Sequence, residues 1–219
     1  MRGLCCLAAT LAFGAVLARA PAVSAGVEVT VVSASGAPVA DAVVMLSAAV
    51  PMQMAAPALH ATMVQENQQF VPFVLPVQVG TTVDFPNLDP FRHHVYSFSA
   101  AKRFELKLYS GGETQTVLFD TPGPVALGCN IHDNMLAYVY VTPTPFFAKT
   151  DAQGRATVYD LAPGAYTLTA WHPDLRGAPD PTATEVTVDA DGRGQARVTV
   201  TLKRERRQRR PGAFDESGY

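Results

Sequence analysis

"GCNIHDNM" (128–135) places Cys129, His132 and Met135 three residues apart, C-x2-H-x2-M, on the segment after the apolar run "PVALGC" (124–129). A thiolate, an imidazole and a thioether are soft to borderline donors. That set suits copper, above all copper that cycles between Cu(I) and Cu(II). Three such donors on one loop call for a further histidine from elsewhere. "NLDPFRHHVYSF" (87–98) supplies two candidates, His93 and His94, 35 to 36 residues upstream at the start of a β-type run.

Little in the chain has a helical period. Short runs rich in Val, Thr, Tyr and Phe recur between Gly, Pro and Asp turns: "VEVTVV" (27–32), "DAVVML" (41–46), "FVLPVQV" (73–79), "TTVDF" (81–85), "RFELKLY" (103–109), "LAYVYV" (136–141), "AYTLTAW" (165–171) and "ARVTVTL" (196–202). Many short strands with regular turn signals predict an all-β sandwich or barrel.

The segment 61–142 resembles a cupredoxin, the β-sandwich of plastocyanin, pseudoazurin and azurin. Val83, Phe85 and Asn87 fit the family's V-x-F-x-N strand end; Phe119, Pro122 and Gly123 fit its F-x-x-P-G. F-R-H-H-V (91–95) aligns with its F-P-H-N-V, and the C-x2-H-x2-M spacing is similar to that of amicyanin. The resemblance implies a Greek-key sandwich binding one copper per chain through His93, Cys129 and His132, with Met135 as weak axial ligand. The family's Asn after the upstream histidine is here His94, which leaves three roles open for it: a replacement brace, an outer group, or the ligand in place of His93. The resemblance further implies an electron carrier, not an enzyme, with a cytochrome c or amine dehydrogenase as redox partner. The family's loop histidine shows one edge at the surface. Around that edge of His132 an apolar patch of Ile131, Met135 and Leu136, with Pro143 and Pro145 close by, is expected.

Two flanking stretches, "VEVTVVSASGAPVADAVVML" (27–46) and "TDAQGRATVYDLAPGAYTLTAWHP" (150–173), resemble the carboxypeptidase-regulatory-like, transthyretin-like β-sandwich. Gly36, Pro38, Val39, Ala42 and Val44, then Thr150, Asp151, Gly154, Leu161, Pro163, Gly164, Tyr166 and Leu168 carry that likeness. Asp151 and Gly154 suit a hairpin turn, and Pro163-Gly164 a type II turn. The implied organisation is a cupredoxin domain at 61–142 inserted in, or packed beside, a second Ig-like sandwich built from 26–50 and 146–203. "AAVPMQMAAPALHA" (48–61) reads as the outgoing linker and "TPTPFF" (142–147) as the return.

The ends add context. "MRGLCCLAATLAFGAVLARAPAVSA" (1–25) has an early Arg2, an apolar run to Leu17 and a small-x-small finish, which is the pattern of a secretory signal peptide. Its apolar run is shorter than the ~20 residues that span a bilayer. Cleavage before Gly26 removes Cys5 and Cys6, leaves Cys129 as the lone thiol, and predicts a periplasmic or secreted monomer. Residues 26–202 hold nine Lys/Arg against sixteen Asp/Glu, which argues against a nucleic-acid partner. The basic tail 204–219 lacks an apolar period and is expected to be disordered, either solvated or docking on an acidic partner or anionic lipid headgroups.

His60 and His172 read as linker and turn residues, and Asp84, Asp89 and Asp133 lack calcium-ligand spacing and read as structural. No nucleophile–base pair or phosphate-cradling loop is present. Two other readings stand beside the electron carrier. One is a copper carrier or storage protein, for which "PMQM" (51–54) with His60 offers thin support; the other is an envelope interaction module.

Overall fold

Thr81, Val83 and Phe85 turn inward while Thr82, Asp84 and Pro86 turn outward along one strand. This period of two recurs through the chain and builds sheets with one face packed and one face wetter. The structure, a computed structural model, describes residues 25–48, 59–177 and 183–203. Every regular element among them is a β-strand. The leader, the PMQM stretch and the basic tail lie outside the described residues.

The described residues form two main apolar clusters. The first draws on β1 (Gly26–Ser33), β2 (Val43–Ala48), β13 (Phe147–Lys149), β14 (Arg155–Tyr159), β15 (Gly164–Trp171), β16 (Thr184–Val188) and β17 (Gly194–Val200). One sheet runs β14-β1-β17 and the other β13-β2-β15-β16. Val29, Val31, Leu46 and Leu168 are fully buried between them.

The T-D-x-x-G motif makes the turn into β14. Asp151 Oδ1 accepts from the amides of Gln153 and Arg155, each at 2.9 Å or less. Gly154 has a φ of +71°, and a Cβ there would stand 2.4 Å from the Val31 carbonyl oxygen. Only glycine meets both demands. Gly164 differs from expectation. Its φ of +152° opens β15, far from the +80° or so that a type II turn requires.

The second cluster belongs to β3 (His60–Thr62), β4 (Val64–Glu66), β5 (Gln69–Val71), β6 (Val74–Gln78), β7 (Thr81–Pro86), β8 (His93–Phe98), β9 (Arg103–Tyr109), β10 (Thr114–Phe119), β11 (Gly123–Gly128) and β12 (Leu136–Thr142). A sheet β10-β7-β3 faces a sheet β6-β12-β11-β8-β9, with β4-β5 as a separate hairpin. Phe85 and Phe119 are the largest fully buried side chains between them, each contributing about 3 kcal/mol or less by burial alone. Residues 60 and 61, read from sequence as linker, belong to β3, which pairs in parallel with β7. Their backbone groups gain ladder partners there.

A third, smaller cluster joins the two. Val43, Met45 and Trp171 pack against Val74 and Tyr140, with the Tyr140 and Trp171 ring centroids 4.6 Å apart. The segment after β12 is tied across by Thr144, whose hydroxyl donates to the Leu46 carbonyl at 2.8 Å.

Candidate metal centre

At one end of the second sandwich, the chain entering β8 meets the chain leaving β11. The loop between β11 and β12 is short because residues 132–135 fold into a turn, with the Met135 amide donating to the His132 carbonyl at 3.0 Å. That turn explains the spacing of the motif. It sets His132 and Met135 at its two ends, with Cys129 still at the strand edge.

The side chains converge. Cys129 Sγ lies 3.9 Å from Nδ1 of His93 and 3.9 Å from Nδ1 of His132. These three groups form a cluster able to hold a metal ion. A first-row ion bonds sulfur at about 2.3 Å and imidazole nitrogen at about 2.0 Å. A separation of 3.9 Å is below the sum of those lengths, so one ion can touch the sulfur and either nitrogen. The donor set fits copper. His93 is fully buried, Cys129 and Met135 nearly so, and His132 is half-buried. Met135 sits in the same apolar cluster as Cys129.

The tautomer of His93 follows from its partner. Its Nε2 is 2.7 Å from Asp89 Oδ2. An ionised carboxylate only accepts, so Nε2 carries a proton, and in the neutral ring Nδ1 keeps its lone pair toward the sulfur. Burial alone would raise the Asp89 pKa. Hydrogen bonds from the Gln68 amide, the His93 ring and the Asn67 amide outweigh it and hold the carboxyl below its ordinary value.

His94 is not in the group. Adjacent strand residues face opposite sides, and the β8–β9 pairing carries a register shift between His93 and Val95. A bulge of this kind re-aims side chains beside a site. His94 turns to the outer face, where its Nε2 lies 2.9 Å from Glu105 Oε1 and its ring packs 5.7 Å from that of Tyr96. Its Nδ1 is buried without a hydrogen-bond partner among the described residues.

Phe91 was not singled out in the sequence. Its ring centroid lies 5.2 Å from that of His93 and 5.5 Å from that of His132, so it covers both imidazoles. Asp89 was read only as structural. The sequence signal for its second role is the spacing of four residues to His93 across Pro90. Deeper in, the Tyr109 hydroxyl donates to the Phe85 carbonyl at 2.8 Å and accepts from Gln65 Nε2. Burial pushes the Tyr109 hydroxyl up to about 12, against the Gln65 hydrogen bond and with the Cys129 thiolate adding to the rise.

The expected surface patch is corrected in part. Ile131 and Leu136 are exposed, but Met135 is buried. Pro143 and Pro145 follow the far end of the seven-residue β12, about 20 Å away along an extended strand. Leu88 and Phe91, from the chain before His93, are the further exposed apolar residues of that segment. His60 pairs with Asp84 at 3.5 Å. His172 accepts from the Asp174 amide within a turn.

Among solved structures, the chain is similar to a copper-containing nitrite reductase from Thermus scotoductus SA-01 (28% identity, TM-score 0.37), over 42% of this chain and 25% of that one. It therefore spans a quarter of the reductase's length. It is also similar to a purple cupredoxin from Nitrosopumilus maritimus (22% identity, TM-score 0.34), over 37% of this chain and 99% of that one. A Cu(I) amicyanin variant gives 19% identity and a TM-score of 0.35, over 45% of this chain and 98% of that one. These solved structures are cupredoxins. A family described as polysaccharide lyase family 4, domain II, an fn3-like domain, matches residues 130–196. The match starts inside the loop between β11 and β12 and ends in β17. No curated protein matches the chain.

Proposed function

We propose that the chain is an exported, mononuclear type 1 copper protein that carries single electrons between redox partners and is not itself an enzyme. The observation that supports this is the convergence of the two Nδ1 atoms on the Cys129 sulfur. Copper, when bound, supplies a one-electron redox couple. His93, Cys129 and His132 would hold it, with Met135 as the fourth, weaker donor. The chain's part is to keep those donors still. His93 is fixed by Asp89 and packed by Phe91, and Cys129 directly follows Gly128, which pairs with Leu136 of β12 and Tyr96 of β8. A donor set that does not rearrange suits both copper oxidation states.

Burial favours this reading over that of a copper carrier. A protein that hands metal on must expose its ligands to the recipient's. Here Cys129 and Met135 are buried and only the His132 edge reaches outward. A periplasmic or secreted location accords with the leader pattern. The partner would be a redox protein such as a cytochrome c or an amine dehydrogenase, meeting the apolar surface around His132.

The test is a visible absorption spectrum of the Cu(II)-loaded protein. Intense thiolate-to-Cu(II) charge transfer is the expected result. Tight Cu(II) binding without colour would overturn the type 1 reading.

A further inference from the structure

Asp89 is a buried carboxylate without a Lys or Arg side chain to match it among the described residues. It is 6% exposed, and among the described residues its ion-pair partner is His93 and no Lys or Arg. Burying an unmatched charge is costly unless hydrogen bonds and a counter-charge offset it. The hydrogen bonds are present. Oδ1 accepts from the Asn67 amide at 2.7 Å, and Oδ2 from the Gln68 amide at 3.0 Å and from His93 Nε2 at 2.7 Å.

Those amides come from a strained turn. Asn67 and Gln68 join β4 to β5 with φ of 55° and 57°. Two successive left-handed residues make a two-residue hairpin turn, and glutamine is not among the residues that tolerate this region readily. The conformation aims two consecutive N–H groups at one point, an anion-binding nest. The backbone is fixed as well. The Asp89 amide donates to Asn87 Oδ1 at 3.0 Å, and Asn87 Nδ2 donates to the Phe91 carbonyl at 2.8 Å. Gly111 packs so closely that a Cβ there would lie 2.1 Å from the Asp89 carbonyl oxygen. Three chain segments thus converge to hold one carboxylate against one imidazole.

We propose that Asp89 is a positioning residue for the metal, a fixed anion that locks the His93 proton on Nε2, aims Nδ1 at the Cys129 sulfur, and biases the centre toward the divalent ion. The inference rests on the copper reading above. With Cys129 as thiolate, the centre and Asp89 carry two negative charges, which a divalent ion balances and a monovalent ion leaves half unbalanced. A carboxylate behind a ligating histidine also raises its basicity, and loss of such a partner commonly costs ~10–100-fold in metal affinity. A residue that merely capped the loop would affect both oxidation states alike.

The experiment uses Asp89→Asn and the wild-type chain, with Zn(II), Cu(II) and Cu(I) as probes. In the metal-free wild type, 15N NMR of the His93 ring should show the proton on Nε2. A proton on Nδ1 overturns the proposal, whether or not the variant folds. In Asp89→Asn, Zn(II) and Cu(II) affinity should fall ~10–100-fold and Cu(I) affinity by less. Each tenfold difference between the two copper states raises the reduction potential by about 59 mV. Equal losses for Cu(II) and Cu(I), or none, overturn it. A colourless Cu(II) wild type with the expected tautomer and Zn(II) loss sinks the type 1 reading and leaves Asp89 in its role.

Discussion

Cys129 Sγ and His132 Nδ1 lie 3.9 Å apart across three residues of one loop, while the same sulfur stands equally far from a nitrogen 36 residues upstream. The loop contributes a pair, and the β8–β11 contact contributes the third group. Cys129→Ser removes the donor common to both separations. The Cu(II) colour should vanish, as an absorption spectrum of the loaded variant will show, with the β-sheet circular dichroism retained. A variant as strongly coloured as the wild type would remove Cys129 from the centre.

His93 and His94 are neighbours in sequence and opposites in orientation. His93→Ala removes a fully buried ring and should abolish the spectrum. His94→Ala should shift it modestly and leave copper bound in stoichiometric amount by metal analysis. The hydrogen bond from His94 runs to Glu105, a largely exposed carboxylate, and such pairs contribute about 1 kcal/mol or less. The reverse pattern would make His94 the ligand.

What was legible in the sequence was the chemistry that sits on one short segment. Cys129, His132 and Met135 announce themselves because their spacing is closed by a single turn. The strands were legible because burial on one face enforces a period of two. The choice between His93 and His94 was not, since it depends on which face of β8 looks inward and on a bulge in the pairing with β9. Asp89 was hidden for a related reason. A carboxylate in a turn looks the same whether it caps amides or also grips a ring, and only the orientation of His93 distinguishes the two. Pro143 and Pro145 misled in the other direction: closeness in sequence to Leu136 means little once a strand carries the chain to the opposite end.

Gly154 tests the other sandwich. Its left-handed φ and the 2.4 Å approach to the Val31 carbonyl oxygen leave no room for a side chain. That oxygen is backbone and already accepts from the Val39 amide at 3.1 Å, so it cannot swing aside. Gly154→Ala should destabilise the chain by more than about 1 kcal/mol, read as a lower midpoint in thermal or urea unfolding. The Cu(II) spectrum of the folded fraction should be unchanged, because the candidate metal centre lies in the second sandwich. An unaltered midpoint would show that the turn relaxes at no cost.

Ile131 is half-exposed on the loop that carries His132, next to the one ligand edge that reaches outward. A transient redox complex buries little area and separates quickly, so a small apolar surface is enough to bring a partner close to that edge. Ile131→Lys places a charge where the partner must shed water. With a basic cytochrome c as acceptor, stopped-flow electron transfer should slow about tenfold, the effect of losing ~1.4 kcal/mol at the encounter. The added lysine also repels a basic partner, and salt separates the two causes. At 1 M ionic strength the screening length falls to ~3 Å, so the repulsive part should disappear and the desolvation part persist. The Cu(II) spectrum should stay nearly as it was, since Ile131 is not among the converging donors. An unchanged rate at both ionic strengths would mean that electrons leave the protein by another surface.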